Sequence, residues 1–101
     1  MAADAGYAWE KTYDAVRSLA TDAQPLSVRL ESAWNDGLHL LTIHTLPWPD
    51  LRERFEDIED LFKLDSRTGK PIIRMVSEDE RRDVAAKIFD LFVEIRDLDW
   101  T

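Results

Sequence analysis

The sequence predicts an all-α fold, a single-domain bundle of about four helices spanning residues 1–101, and two observations carry that prediction. Apolar residues recur at spacings of three and four in four separate stretches, the period of an amphipathic helix. A hydrophobic content of 45% with 10% aromatics is enough for a core in a chain of 101 residues, and the absence of cysteine means that no disulfide framework replaces it.

The first helix is expected near 5–23, where Trp9, Tyr13, Val16, Ala20 and Ala23 form an apolar stripe. A second follows near 25–36: Pro25 suits a first helical turn, Leu26, Leu30, Ala33 and Trp34 make the stripe, and Gly37 is a natural C-terminal cap. The short connection predicts antiparallel packing of these two helices. Residues 38–46 (LHLLTIHTL) fit a short helix or a strand. A minor two-stranded element from 39–44 and 72–76 therefore stays open. Pro47-Trp48-Pro49 interrupts regular structure and sets up a third helix near 50–64, striped by Leu51, Phe55, Ile58 and Phe62. Residues 66–71 (SRTGKP) read as a loop. Ser77-Glu-Asp-Glu80 is a capping box opening the last helix, near 77–99, with Val84, Ile88, Leu91, Ile95 and Leu98 on its apolar face.

Charge and motif content narrow the function classes. Asp and Glu number 21 against 13 Lys and Arg, a net charge of −8. That balance argues against direct binding of nucleic acid or of an anionic membrane, both of which need concentrated cations. A protein partner with a basic surface is the charged partner that fits. No apolar run reaches the roughly 18 residues of a membrane span, and Met1 to Gly6 lack the basic and apolar segments of a secretory signal, so the expected location is the cytoplasm.

His39 and His44 are five apart, a spacing that shares no face on a helix or a strand, so they form no local chelate. Asp65-Ser-Arg-Thr-Gly69 puts Arg67 and Gly69 where a calcium loop needs oxygen ligands. Gly69-Lys70-Pro71 lacks the rest of a phosphate-binding loop, and no serine sits in a nucleophile elbow. No catalytic, cofactor-binding or metal-binding residue is expected, and the chain is not read as an enzyme.

Three features point to protein contact instead. On a wheel of about 100° per residue, Glu53, Glu56, Asp57 and Asp60 fall opposite the apolar stripe of the third helix, three and four residues apart. Like charges at that spacing cost a few tenths of a kcal/mol each, so the strip is either a solvating face or an anionic docking surface. Trp48, between two prolines, is either a staple fixing the start of the third helix or an aromatic anchor at an interface. In the last helix Ala86, Phe89, Val93 and Trp100 make a second apolar group opposite the main stripe, a candidate oligomer contact. Residues 66–76 carry Arg67, Lys70 and Arg74 and no acid, which balances their neighbours or supplies a complementary patch.

The stretches WEKTYDAVRSLA at 9–20, LRERFEDI at 51–58 and SEDERRDVAAKIF at 77–89 resemble those of short acidic helical proteins of bacterial genomes with no assigned function. The resemblance covers most of the chain, implies a bacterial or phage-like origin and transfers no active site. The expected function is a small acidic protein-binding module acting stoichiometrically, an inhibitor or anti-defence protein that presents carboxylates to a basic nucleic-acid-binding partner. The alternative is a homodimeric structural or adaptor protein assembled through its C-terminal helix.

Overall fold

Four α-helices form in the expected order: α1 (Ala5–Thr21), α2 (Leu26–Asp36), α3 (Pro49–Glu59) and α4 (Glu78–Arg96). The computed structural model describes residues 5–21 and 23–98. α1 packs against both α2 and α4, and α3 lies on α4. Arg29 near the start of α2 reaches the Leu19 carbonyl at 2.8 Å, while Gly37 beyond its end meets Lys11. The contacts run in opposite chain order, so α1 and α2 are antiparallel.

The large-residue stripes of α2, α3 and α4 are the core faces. Leu30, Ala33, Leu51, Phe55, Ile58, Phe62, Val84, Ile88, Leu91 and Ile95 are all buried in one cluster, with Leu26, Trp34 and Leu98 packed against it. Trp34 stacks on Phe62 with ring centroids 5.0 Å apart and on Phe55 at 6.2 Å, tying α2 to α3. α1 departs from the expected stripe. Its buried residues are Ala5, Ala8, Thr12 and Ala15, whereas Tyr13, Ala20 and Ala23 are exposed and Trp9 and Val16 only half-buried. Small side chains let α1 come close to its neighbours, and the Thr12 hydroxyl donates to the Ala8 carbonyl at 2.9 Å, so its polarity is satisfied within the helix.

The open two-stranded element does not form. Leu38–Leu40 is a 3-10 turn, and the segment after it is closed by Leu46 N–H donating to the Thr42 carbonyl at 2.8 Å and Thr42 N–H to the Thr45 hydroxyl at 2.8 Å. Ile72–Arg74 is a second 3-10 turn. The carbonyls of Ile73 and Arg74, which a strand partner would have used, accept instead from the Arg81 guanidinium at 3.0 and 2.8 Å. Among the described residues the one β-bridge joins Leu64 to Pro71.

That bridge closes the 66–71 loop, where the Asp65 carboxylate accepts from Thr68 N–H at 3.0 Å and Gly69 takes φ 72°, the left-handed region glycine tolerates. α3 tightens into a 3-10 turn at Asp60–Phe62 before this loop. α4 opens with the Ser77 hydroxyl accepting from Glu80 N–H at 3.2 Å, and its first turn holds Glu78, Asp79 and Glu80 while Arg96 stands in its last.

Candidate protein-docking face on the third and fourth helices

With Leu51, Phe55 and Ile58 turned into the core and Arg52 and Glu59 half-buried, Glu53, Glu56, Asp57 and Asp60 are all exposed. The four differ in what they are already bound to. Glu56 pairs with Arg52 at 3.4 Å, one turn back on the same helix. Asp60 pairs with Lys63 at 2.8 Å, and its hydrogen bond and charge hold the Lys63 ammonium above the ordinary lysine range. Glu53 and Asp57 make no ion pair among the described residues, and neither does Asp50 in the first turn of α3.

Packing against α4 extends the anionic surface beyond one helix. Arg54 of α3 pairs with Glu94 of α4, holding the two helices side by side. Between them lies a cleft of about 210 Å³ lined by Arg54, Asp57, Lys87 and Asp90. Asp90 is exposed and, like Asp57, has no ion pair among the described residues, whereas Lys87 is held by Asp83 at 3.1 Å. Asp50, Glu53, Arg54 and Asp57 line a second, shallower concavity on the same side. On this face the exposed carboxylates without an ion pair among the described residues are Asp50, Glu53, Asp57 and Asp90. Reading α3 alone finds two of them and misses Asp90, whose partner helix is set by tertiary packing.

Trp48 stands at the N-cap of α3, with its carbonyl accepting from Arg52 N–H at 2.8 Å. A staple residue would sit one position earlier. Its ring is half-buried and packs against the core cluster. Of the second apolar group on α4, Ala86 and Phe89 are exposed and Val93 is half-buried, while Trp100 lies outside the described residues.

Phe89 belongs to a larger assembly that the α4 pattern alone does not reveal. Its ring meets Phe92 at 6.3 Å, and Phe92 in turn contacts Trp9 at 5.9 Å and Tyr13 at 6.3 Å across the α1–α4 seam. Tyr13 is 43% and Phe89 51% exposed, so the seam ends in two solvent-facing rings.

His39 donates from Nδ1–H to the Trp34 carbonyl at 2.9 Å, and His44 is exposed on the following turn. Among the described residues no group of three His, Asp or Glu is placed to hold a metal ion, and no helix is long and apolar enough to cross a membrane. No family model, curated protein or solved structure matches this chain.

Proposed function

We propose that this chain is a small acidic binding module that acts stoichiometrically, with the outer face of α3 and the adjoining side of α4 docking on a basic protein surface. The observation that carries this reading is that four exposed carboxylates without ion pairs among the described residues, Asp50, Glu53, Asp57 and Asp90, line two adjoining concavities that share Arg54 and Asp57. An anionic group left unneutralised at its neighbours' expense supports recognition of Arg and Lys side chains, and the field of several such groups accelerates encounter. Carboxylates so arranged occupy cation sites that otherwise hold phosphates, which is the chemistry of an inhibitor or anti-defence protein directed at a nucleic-acid-binding partner. Trp48, at the start of the same helix, is the apolar anchor of this surface.

The test compares immobilised wild type with a Glu53→Lys/Asp57→Lys/Asp90→Lys variant of unchanged circular dichroism. A protein retained by the wild type alone is then loaded with a fluorescent nucleic acid, and the free chain should displace that nucleic acid in an anisotropy titration. Equal retention by the two forms, or a nucleic acid that stays bound, refutes the reading.

A second reading rests on Phe89, 51% exposed at the end of the aromatic seam: a homodimer assembled through α4. It requires that wild type sediment as a dimer at micromolar concentration and that Phe89→Glu sediment as a folded monomer.

A further inference from the structure

On the outer surface of α4 an aromatic edge runs beside charged residues, of which Asp90 is exposed and has no ion pair among the described residues. At about 100° per residue, Phe89 and Val93 lie on the flank toward α1, Glu94 and Lys87 on the flank toward α3, and Ala86 and Asp90 between them. The contacts agree: Phe89 meets Phe92 on the α1 side, and Glu94 meets Arg54 on the α3 side. Phe89 and Asp90 are three and four residues beyond Ala86, one helical turn from the same small side chain, so one bound side chain lying over Ala86 can touch both. All three residues are exposed.

The chain already contains the contact such a surface would make. Arg52 lays its guanidinium 5.0 Å from the Phe55 ring centroid while bonding the Glu56 carboxylate at 3.4 Å. One planar cation thus satisfies a ring face and a carboxylate together. On α4 the corresponding pair is Phe89 with Asp90; Ala86 stands where Arg52 does on α3, and Asp90 has no ion pair among the described residues.

We propose that the α3–α4 face is specific for an arginine-rich segment of its partner, over a lysine-rich one, with Asp90 holding a guanidinium that stacks on Phe89 and the other carboxylates of the face, Asp57 among them, drawing the segment's remaining cations. This rests on the docking face proposed above and adds the identity of the cation it reads. Guanidinium is planar, weakly hydrated and able to stack while it forms paired hydrogen bonds, whereas ammonium is a compact, strongly hydrated point charge. Carboxylates alone would attract either cation, so the exposed ring supplies the discrimination.

The test titrates fluorescein-labelled octa-arginine and octa-lysine peptides with the full chain at physiological ionic strength. Wild type should bind octa-arginine roughly tenfold more tightly than octa-lysine. Phe89→Leu keeps an apolar side chain and removes the ring; it should bring the ratio to within about twofold, weakening octa-arginine binding much more than octa-lysine binding. Asp57→Asn/Asp90→Asn should weaken both peptides. Equal binding of the two peptides by wild type overturns the arginine assignment and leaves the acidic docking face standing. An arginine preference that survives Phe89→Leu overturns the role of the ring. Binding of neither peptide removes both proposals, and a wild-type dimer that Phe89→Leu dissociates assigns the ring to a second copy of this chain instead.

Discussion

Gly37 and Lys11 meet backbone to backbone: a β-carbon on Gly37 would lie 2.1 Å from the Lys11 carbonyl oxygen and 3.4 Å from the Ala15 nitrogen. Gly37 is buried, and its φ of −152° is open to any residue, so glycine is required here for space and not for conformation. Replacing it forces α2 away from the small-residue face of α1. Gly37→Ala should cost about 1–3 kcal/mol of stability in a urea titration, with Ala8 and Ala15 the side chains that lose packing. A variant as stable as wild type would mean that the two helices separate without penalty.

Arg81 replaces a strand. Its guanidinium donates to the carbonyls of Ile73 and Arg74 and pairs with Glu78 at 3.3 Å, with the side chain largely buried. Arg81→Lys keeps the charge but not the fork that reaches both carbonyls, and should cost about 1–3 kcal/mol. Denaturant midpoints with an unchanged slope would measure it. An isoenergetic lysine variant would show that solvent satisfies those carbonyls.

These two contacts also mark where the sequence stops being readable. The stripes of α3 and α4 were legible because their core positions hold large residues, Phe55 and Ile58 or Ile88 and Leu91, at a period of 3.6. On α1 the same period is met by Ala8, Thr12 and Ala15, and the bulkier Trp9 and Tyr13 draw the eye to the wrong face. Residues 72–76 look extended because their carbonyl partner, Arg81, arrives from the next helix. The candidate site divides in the same way. That Glu53, Glu56, Asp57 and Asp60 face outward follows from periodicity, and the Arg52 and Lys63 pairings that neutralise two of them follow from local spacing. That Asp90 joins them, and that Phe89 extends into a seam with Tyr13, depends on which helices pack together.

Trp48 links stability to binding. Its ring packs on the core from the N-cap of α3, so Trp48→Ala should lower stability by about 2–3 kcal/mol while leaving a folded chain. If the exposed part of the ring anchors a partner, the same variant, measured where it is fully folded, should dissociate about tenfold faster. A stability loss with an unchanged dissociation rate assigns Trp48 to the core alone.

Salt separates docking by the free carboxylates from docking by the aromatic seam. Exposed charges are screened beyond about 8 Å at physiological ionic strength, so association steered by Asp50, Glu53, Asp57 and Asp90 should slow steeply as salt rises. Dissociation, set by desolvated anchors, should change much less. In surface-based kinetics at low and high salt, the association rate of wild type with its partner should fall about tenfold or more. Glu53→Lys/Asp57→Lys/Asp90→Lys should lose that dependence or reverse its sign. Glu56→Lys should retain most of it, because this single reversal changes the charge of the face by two units against six for the triple variant. If wild type associates equally fast at both salt concentrations, steering by carboxylates is ruled out. The half-exposed rings of Tyr13 and Phe89 then become the surface on which the partner lands.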